Sequence, residues 1–223
     1  MKNTAKFLLL PIALACAATA HAQSAGTWMV RAGGTTITPA STNGALTQPS
    51  LPNTQASVGS ASQVSGGITY MLDNNISIDV PLAMPFKHDI TGDGAIAGVG
   101  KIADVKALPA TVIAQWRFMG PKDMFRPYVG VGLTYAAFFG ARGTSVLTAI
   151  TGGTPDRPTT LSIGSKFAPT VQLGAAIALN SRWFVDANYT MTRLTATNTL
   201  STGQTLESKI DPVSVSLSVG YMF

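Results

Sequence analysis

The stretch 213–223, VSVSLSVGYMF, alternates without interruption. Val213, Val215, Leu217, Val219, Tyr221 and Phe223 fall on one face, and Ser214, Ser216, Ser218 and Gly220 on the other. Strict period-two alternation marks a β-strand whose two faces meet different surroundings. An unbroken apolar face is unusual in a chain's last residues, which are commonly polar and frayed.

The same alternation recurs in seven earlier segments: 27–39, 64–72, 76–84, 108–118, 128–137, 167–179 and 183–192. The first is the least regular, and its Gly33-Gly34 pair suits a β-bulge. Three connections are short, at 73–75, 120–125 and 180–182. Four are long and rich in Gly, Thr, Ser and Pro, at about 39–63, 87–104, 140–165 and 195–207.

Charged residues make up only 11% of the 223 residues, about half the roughly 25% of an ordinary soluble domain. After the first 22 residues no apolar run approaches the roughly 18 residues of a spanning helix. Strands that cross a bilayer must close into a barrel, so that no backbone group stays unpaired in lipid. The expected fold is therefore an all-β, eight-stranded antiparallel transmembrane barrel with short periplasmic turns, long extracellular loops and both termini periplasmic. A soluble β-sandwich has similar periodicity, but its wetted faces carry charge, whereas here they are mostly Gly, Ala, Ser and Thr. Aromatics near strand ends (Trp28, Trp116, Phe118, Tyr128, Phe138, Phe139 and Trp183) fit membrane-interface girdles.

Residues 1–22 read as a secretory signal: Lys2 and Lys6, an apolar stretch at 7–18, then Ala20-His21-Ala22 before the expected cut. A lipoprotein signal at Cys16 is disfavoured because Leu14-Ala15-Cys16 lacks the usual residue order. Cleavage removes the one cysteine and leaves 23–223 as a single barrel domain without a disulfide or thiol nucleophile. The net charge of +5 includes the two signal lysines, and no basic cluster points to nucleic acid. The expected location is the outer membrane of a Gram-negative bacterium.

Two stretches carry a resemblance. DNNISIDVPLAMPFKHDI (73–90) and FMGPKDMFRPYVGVGLTYAAFF (118–139) are similar to the OmpW family of small outer-membrane proteins, which includes AlkL-type hydrocarbon uptake proteins. Pro85, Phe86, Lys87, His88 and Asp89 match one family element, residues 126–132 match another, and the GYMF terminus also fits. The resemblance implies an apolar pocket at the outer mouth and passive uptake of small hydrophobic molecules. It also implies outer-membrane lipid and lipopolysaccharide as surroundings, and the barrel-assembly machinery as a partner in biogenesis. A strand ending in Phe223, with Tyr221 two residues before it, resembles the C-terminal signal recognised for barrel assembly.

Eight strands enclose a lumen filled by side chains or by one small ligand, which excludes a porin-like aqueous pore. Parity places Arg31, Asp79, Arg117 and Asp186 on the lumen face. Two cations and two anions in a narrow tube are expected to pair, either as a structural network or as a selectivity point. His88 lies in the second long loop, where Pro85–Asp89 is expected to fold over the barrel mouth. No Gly-x-Ser-x-Gly or metal-ligand spacing accompanies it, so neither an enzyme nor a cofactor is expected. Pro85 and Pro109 fall near the outer rim of neighbouring strands, where neither can donate a ladder hydrogen bond. A lateral opening there is one reading, and simple strand ending is the other. The alternative function is surface interaction through the Thr- and Ser-rich loops.

Overall fold

The alternating segments become strands because each offers one face to apolar surroundings and the other to a crowded interior. The computed structural model describes residues 23–40 and 42–223, so the expected signal at 1–22 lies outside the described residues. In chain order the strands are β1 (Trp28–Thr38), β2 (Thr42–Asn43), β3 (Thr54–Val58), β4 (Ala61–Met71), β5 (Ile76–Ala83), β6 (Phe86–Gly94) and β7 (Lys101–Arg117). They continue with β8 (Phe125–Gly143), helix α1 (Ser145–Ile150), β9 (Leu161–Ile163), β10 (Lys166–Ala178), β11 (Trp183–Thr192), β12 (Thr195–Leu200), β13 (Thr205–Lys209) and β14 (Val213–Met222).

Eight of these strands form the wall, in the order β7-β5-β4-β1-β14-β11-β10-β8, and β8 pairs back onto β7 to close it. Every pairing in the wall is antiparallel. Both described ends sit at the short-turn rim, where the Phe223 N–H donates to the Trp28 carbonyl and the Gln23 N–H to the Pro121 carbonyl. Val131, Leu173, Leu217 and Val215 on the outer face are all more than half exposed. That band, wrapped around an interior of buried polar groups, is the inverse of a soluble protein.

Four sequence expectations need correction. The Gly33-Gly34 pair is not a bulge, because β1 keeps an unbroken register with β14 from Met29↔Met222 to Thr38↔Val213. Gly33 is needed instead for close approach, since a Cβ there would lie 2.0 Å from the Leu217 carbonyl oxygen. Tyr128 and Phe138 are not girdle residues: Tyr128 is fully buried in the lumen and Phe138 packs inside the outer end. The exposed aromatics at the short-turn rim are Trp28, Trp116, Phe118, Trp183 and Phe223.

The third correction concerns the long loops, each of which contains strand. β7 has 17 residues, or about 55 Å of chain. Even tilted by about 40°, that exceeds an apolar band roughly 25 Å tall, so the wall projects well beyond it. β3 pairs with β6 and β6 with β7, while β2, β13, β12 and β9 form a separate four-stranded sheet. These elements turn Ala56, Ile90, Ile96, Ile102, Leu147 and Leu206 into a shared apolar core. Fourth, the segment Pro85–Asp89 does not fold over the mouth. It begins β6 and continues the wall, with Phe86 and His88 turned inward and Lys87 and Asp89 outward.

Small residues on the inner face make room for large ones opposite. A methyl group at Gly220 would sit 2.2 Å from the Phe184 ring, and Phe184 is 1% exposed. Gly220→Ala is therefore expected to destabilise the barrel by about 1–3 kcal/mol through overpacking. A lowered unfolding midpoint in urea, followed by heat-modifiable gel mobility, would check this, and an unchanged midpoint would show that Phe184 can yield freely.

Candidate functional site

The lumen is built in three levels, and parity along the strands decides what each contains. At the bottom lies a polar floor. Arg31 on β1 donates from Nη1 and Nη2 to the two carboxylate oxygens of Asp79 on β5, at 2.6 and 2.8 Å. Thr69 Oγ1 donates to the same carboxylate at 2.6 Å. Asp186 on β11 approaches Arg31 Nε at 4.0 Å and accepts from Tyr128 Oη at 2.9 Å and Asn188 Nδ2 at 3.0 Å.

Arg117 departs from the expected pairing. Among the described residues it makes no ion pair, and its guanidinium donates to neutral oxygens: Ser77 Oγ at 3.1 Å, Gln115 Oε1 at 2.8 Å and Gln23 Oε1 at 3.1 Å. It also lies over the Tyr128 ring, 4.7 Å from the centroid, a cation–π contact strengthened by desolvation. Sequence reasoning found the four charges but missed Gln23, Gln115, Tyr128 and Arg126, which complete the floor. Arg126 donates to the carbonyls of Gln23 at 2.7 Å and Asn74 at 2.6 Å, tying the first described residue to a short turn. Inward parity already marked Tyr128 and Gln115, but uncharged side chains carry no signal that separates a network member from filler.

Above the floor runs a collar of hydroxyls. Thr111, Thr134, Thr170 and Thr192, on β7, β8, β10 and β11, link Oγ1 to Oγ1 at 2.9, 2.6 and 3.0 Å. Ser65, Thr35 and Ser216, on β4, β1 and β14, link at 2.7 Å each. Strand β5 contributes no hydroxyl at this level; its inward residues there are Pro81 and Ala83. A chamber of about 190 Å³ opens in the outer extension, lined there largely by apolar side chains such as Ile37, Phe86, Ile102 and Leu206, and it narrows through the collar to end at Arg31 and Ser218. A dry cavity of about 150 Å³ already holds a benzene molecule.

The wall beside the chamber has one seam. β5 pairs with β7 only from Ile76↔Trp116 to Asp79↔Ile113, and pairing resumes at Phe86↔Ala107 on β6. Among the described residues, 80–85 and 108–112 make no ladder contact with each other. The cause is legible in strand parity. Arg117 N–H reaches across to Asn75 and Phe118 N–H the other way to Pro127, so odd residues of β7 face β5. Met84 N–H reaches back to Val64 on β4, so odd residues on the β5 side face β7. Pro81, Pro85 and Pro109 are all odd, and each withholds the one donor that would have entered this seam.

His88 is buried, its Nδ1 lies 2.8 Å from the Gly59 carbonyl oxygen, and its ring borders the chamber. Lys87 and Asp89 face outward in an ion cluster in which Lys101 meets Asp89 at 2.6 Å and Asp104 at 3.1 Å. The hydrogen bond from Lys101 holds the Asp104 carboxyl below its ordinary range. Tyr221 lies at the short-turn rim, between Trp183 and Phe223, and accepts from Arg182 Nη1 at 3.0 Å.

A hydrocarbon-sized chamber thus lies over a polar floor inside a closed eight-stranded barrel. The OmpW family model matches residues 24–223. The chain belongs to the OmpW family. It is 31% identical over its whole length to outer membrane protein W of Vibrio cholerae, covering all of that protein. It is 26% identical to outer membrane protein AlkL of Ectopseudomonas oleovorans, over 78% of this chain and 71% of that one. The crystal structure of OprG from Pseudomonas aeruginosa superposes with a TM-score of 0.79 at 24% identity, over 90% of this chain and 97% of OprG. The protein is thus an OmpW-type barrel of the Gram-negative outer membrane.

Within this OmpW barrel, Asp79→Asn would leave the buried Arg31 with one distant carboxylate. Breaking a buried pair from one side costs about 3–5 kcal/mol, so the urea midpoint should fall steeply. Pairing it with Arg31→Met should recover part of the loss, and a double variant no better than the single would show that the two side chains act independently.

Proposed function

We propose that this OmpW-family barrel carries small hydrophobic molecules across the outer membrane passively, releasing them sideways through the seam between β5 and β7. The observation that carries the reading is the apolar chamber lying directly against the interrupted ladder: Pro81, Ala83 and Phe86 on one side and Ala107, Pro109 and Thr111 on the other all border it. A solute enters from outside, beyond the polar lipopolysaccharide layer, and leaves the water it was poorly solvated in. Its path down narrows through the hydroxyl collar and ends at the paired floor. The side path is lined by proline and alanine and opens where the wall lacks its hydrogen bonds.

The likeness to AlkL supports the substrate class, because the resemblance of 73–90 and 118–139 to that group implies hydrocarbon uptake. The long loops offer a surface for adhesion, but their apolar side chains turn inward to build the chamber, which ties them to the solute path. Substrate range within this class then follows from the chamber's shape.

Uptake of a medium-chain alkane, compared in cells with and without the protein, tests this directly. Ala83→Asp sets a carboxylate into the chamber wall and is expected to bring uptake to the level of cells lacking the barrel. Pro85→Val with Pro109→Val restores two donors to the seam, each worth about 1 kcal/mol. Uptake should slow by roughly tenfold to thirtyfold, with insertion unharmed. Unchanged uptake in the proline variant would remove lateral release; unchanged uptake in Ala83→Asp would remove the conduit.

A further inference from the structure

The outer faces of β6, β7 and β8, just beyond the seam, carry cations that the fold does not neutralise. Lys87 on β6 stands directly opposite Lys106 on β7. The next outward rung places Asp89, Asp104 and Arg142 side by side on the three strands. Lys101 takes up both carboxylates, at 2.6 and 3.1 Å, and Lys87 comes only within 3.8 Å of Asp104. Lys106 and Arg142 make no ion pair among the described residues. Four cations therefore share two carboxylates on one small surface.

Elsewhere on the outer extension each cation of a cluster reaches a carboxylate: Arg193 and Lys209 converge on Asp211, at 3.0 and 3.7 Å. Like charges directly opposite on neighbouring strands destabilise a sheet, and the 3.8 Å approach of Lys87 to Asp104, a carboxylate that already accepts from Lys101, offsets that cost only in part. An anion from outside would supply the rest.

Height on the wall identifies the source. Below the rung lie outward apolar side chains: Leu82 on β5, Met84 just after it, Val112 on β7 and Leu133 on β8. Beside it lies Phe139, half exposed and paired with Lys106. Apolar wall that ends in an aromatic marks the upper edge of the hydrocarbon layer, and the cations begin there, at the depth of lipid headgroups. Basic residues at that depth bind anionic headgroups by charge-assisted hydrogen bonds.

We propose that Lys87, Lys106 and Arg142 form a docking site for a phosphate of a lipid A-type glycolipid of the outer leaflet. Its acyl chains would lie over Leu82, Met84 and Val112, against the β5–β7 seam. The bound lipid would then be the first neighbour that a laterally released solute meets. The site itself rests on charge and height, and stands or falls without reference to solute uptake.

The test uses the folded protein in nanodiscs of phosphatidylcholine with a small fraction of bisphosphorylated lipid A, counting by native mass spectrometry the lipid A molecules that leave with the barrel. The wild type is expected to retain lipid A about tenfold better than K87Q/K106Q, with K87R/K106R close to wild type. K122Q, on a short turn at the opposite end, should change nothing. Removing the phosphates from lipid A should abolish the preference, and millimolar inorganic phosphate should not compete. Equal retention by K87Q/K106Q, equal retention of dephosphorylated lipid A, or displacement by inorganic phosphate would each overturn the proposal. In phosphatidylcholine alone K106Q should be at least as stable as the wild type, because repulsion is relieved; a less stable K106Q would show that the rung is satisfied within the chain.

Discussion

A backbone that crosses hydrocarbon must pair every N–H and C=O with itself, and everything else in this molecule is arranged around that requirement. Eight strands and the closing β7–β8 ladder meet it around nearly the whole circumference. The exception is confined to one seam of the eight-stranded wall near the outer rim, and it is produced by composition: three prolines whose missing donors all point into that seam. Their placement limits the expense of an unpaired carbonyl, which is several kcal/mol in lipid. Below the gap β5 still holds β7, and above it β6 takes over, so the interruption is bounded on both sides. Randomly placed prolines would have weakened three different ladders.

Closure at eight strands sets the second constraint, a lumen hardly wider than its own side chains. Large and small residues then have to alternate across it. Gly174 leaves space for Tyr128, Gly130 for Ile113 and Gly220 for Phe184. Once Tyr128 is seated, its hydroxyl holds Asp186 and its ring supports Arg117. Packing and charge are thus one problem at the floor: the glycine on β10 positions the aromatic that separates a carboxylate from an uncompensated guanidinium. Arg117 is tolerated without a carboxylate because three neutral oxygens accept from it and a π-face covers it.

Much of this was readable before any coordinates, and the reason is parity. Within 167–179 or 213–223 a single alternating pattern assigns each residue to lipid or lumen, so Arg31, Asp79, Arg117 and Asp186 could be placed inward from sequence alone. Parity says nothing about which inward residues touch, and so Arg117 was expected to join the ion pairs and Gln23 went unnoticed. The outer extension was misjudged for a different reason. Segments such as 195–200, TATNTL, alternate threonine with Ala196, Asn198 and Leu200, and their inward face carries too little hydrophobicity to stand out from a loop. Their strand character comes from β-branched threonine and from pairing partners far away in sequence, such as Thr197 with Glu207 and Leu200 with Leu161.

The vertical order of the lumen gives the proposed route its direction. An apolar solute in the chamber gains nothing by descending, because it would leave apolar side chains for a ring of hydroxyls already satisfied by one another around the wall. Below them lies a floor of hydrogen-bonded carboxylates and guanidinia, with which it can form no bond to replace their own. Moving sideways instead exchanges one apolar environment for another, past Pro81 and Ala83, the inward β5 residues at the level where neighbouring strands present hydroxyls. The same five-membered ring that removes a donor from the seam also removes a polar group from the chamber wall, so one residue type both loosens the exit and lines it.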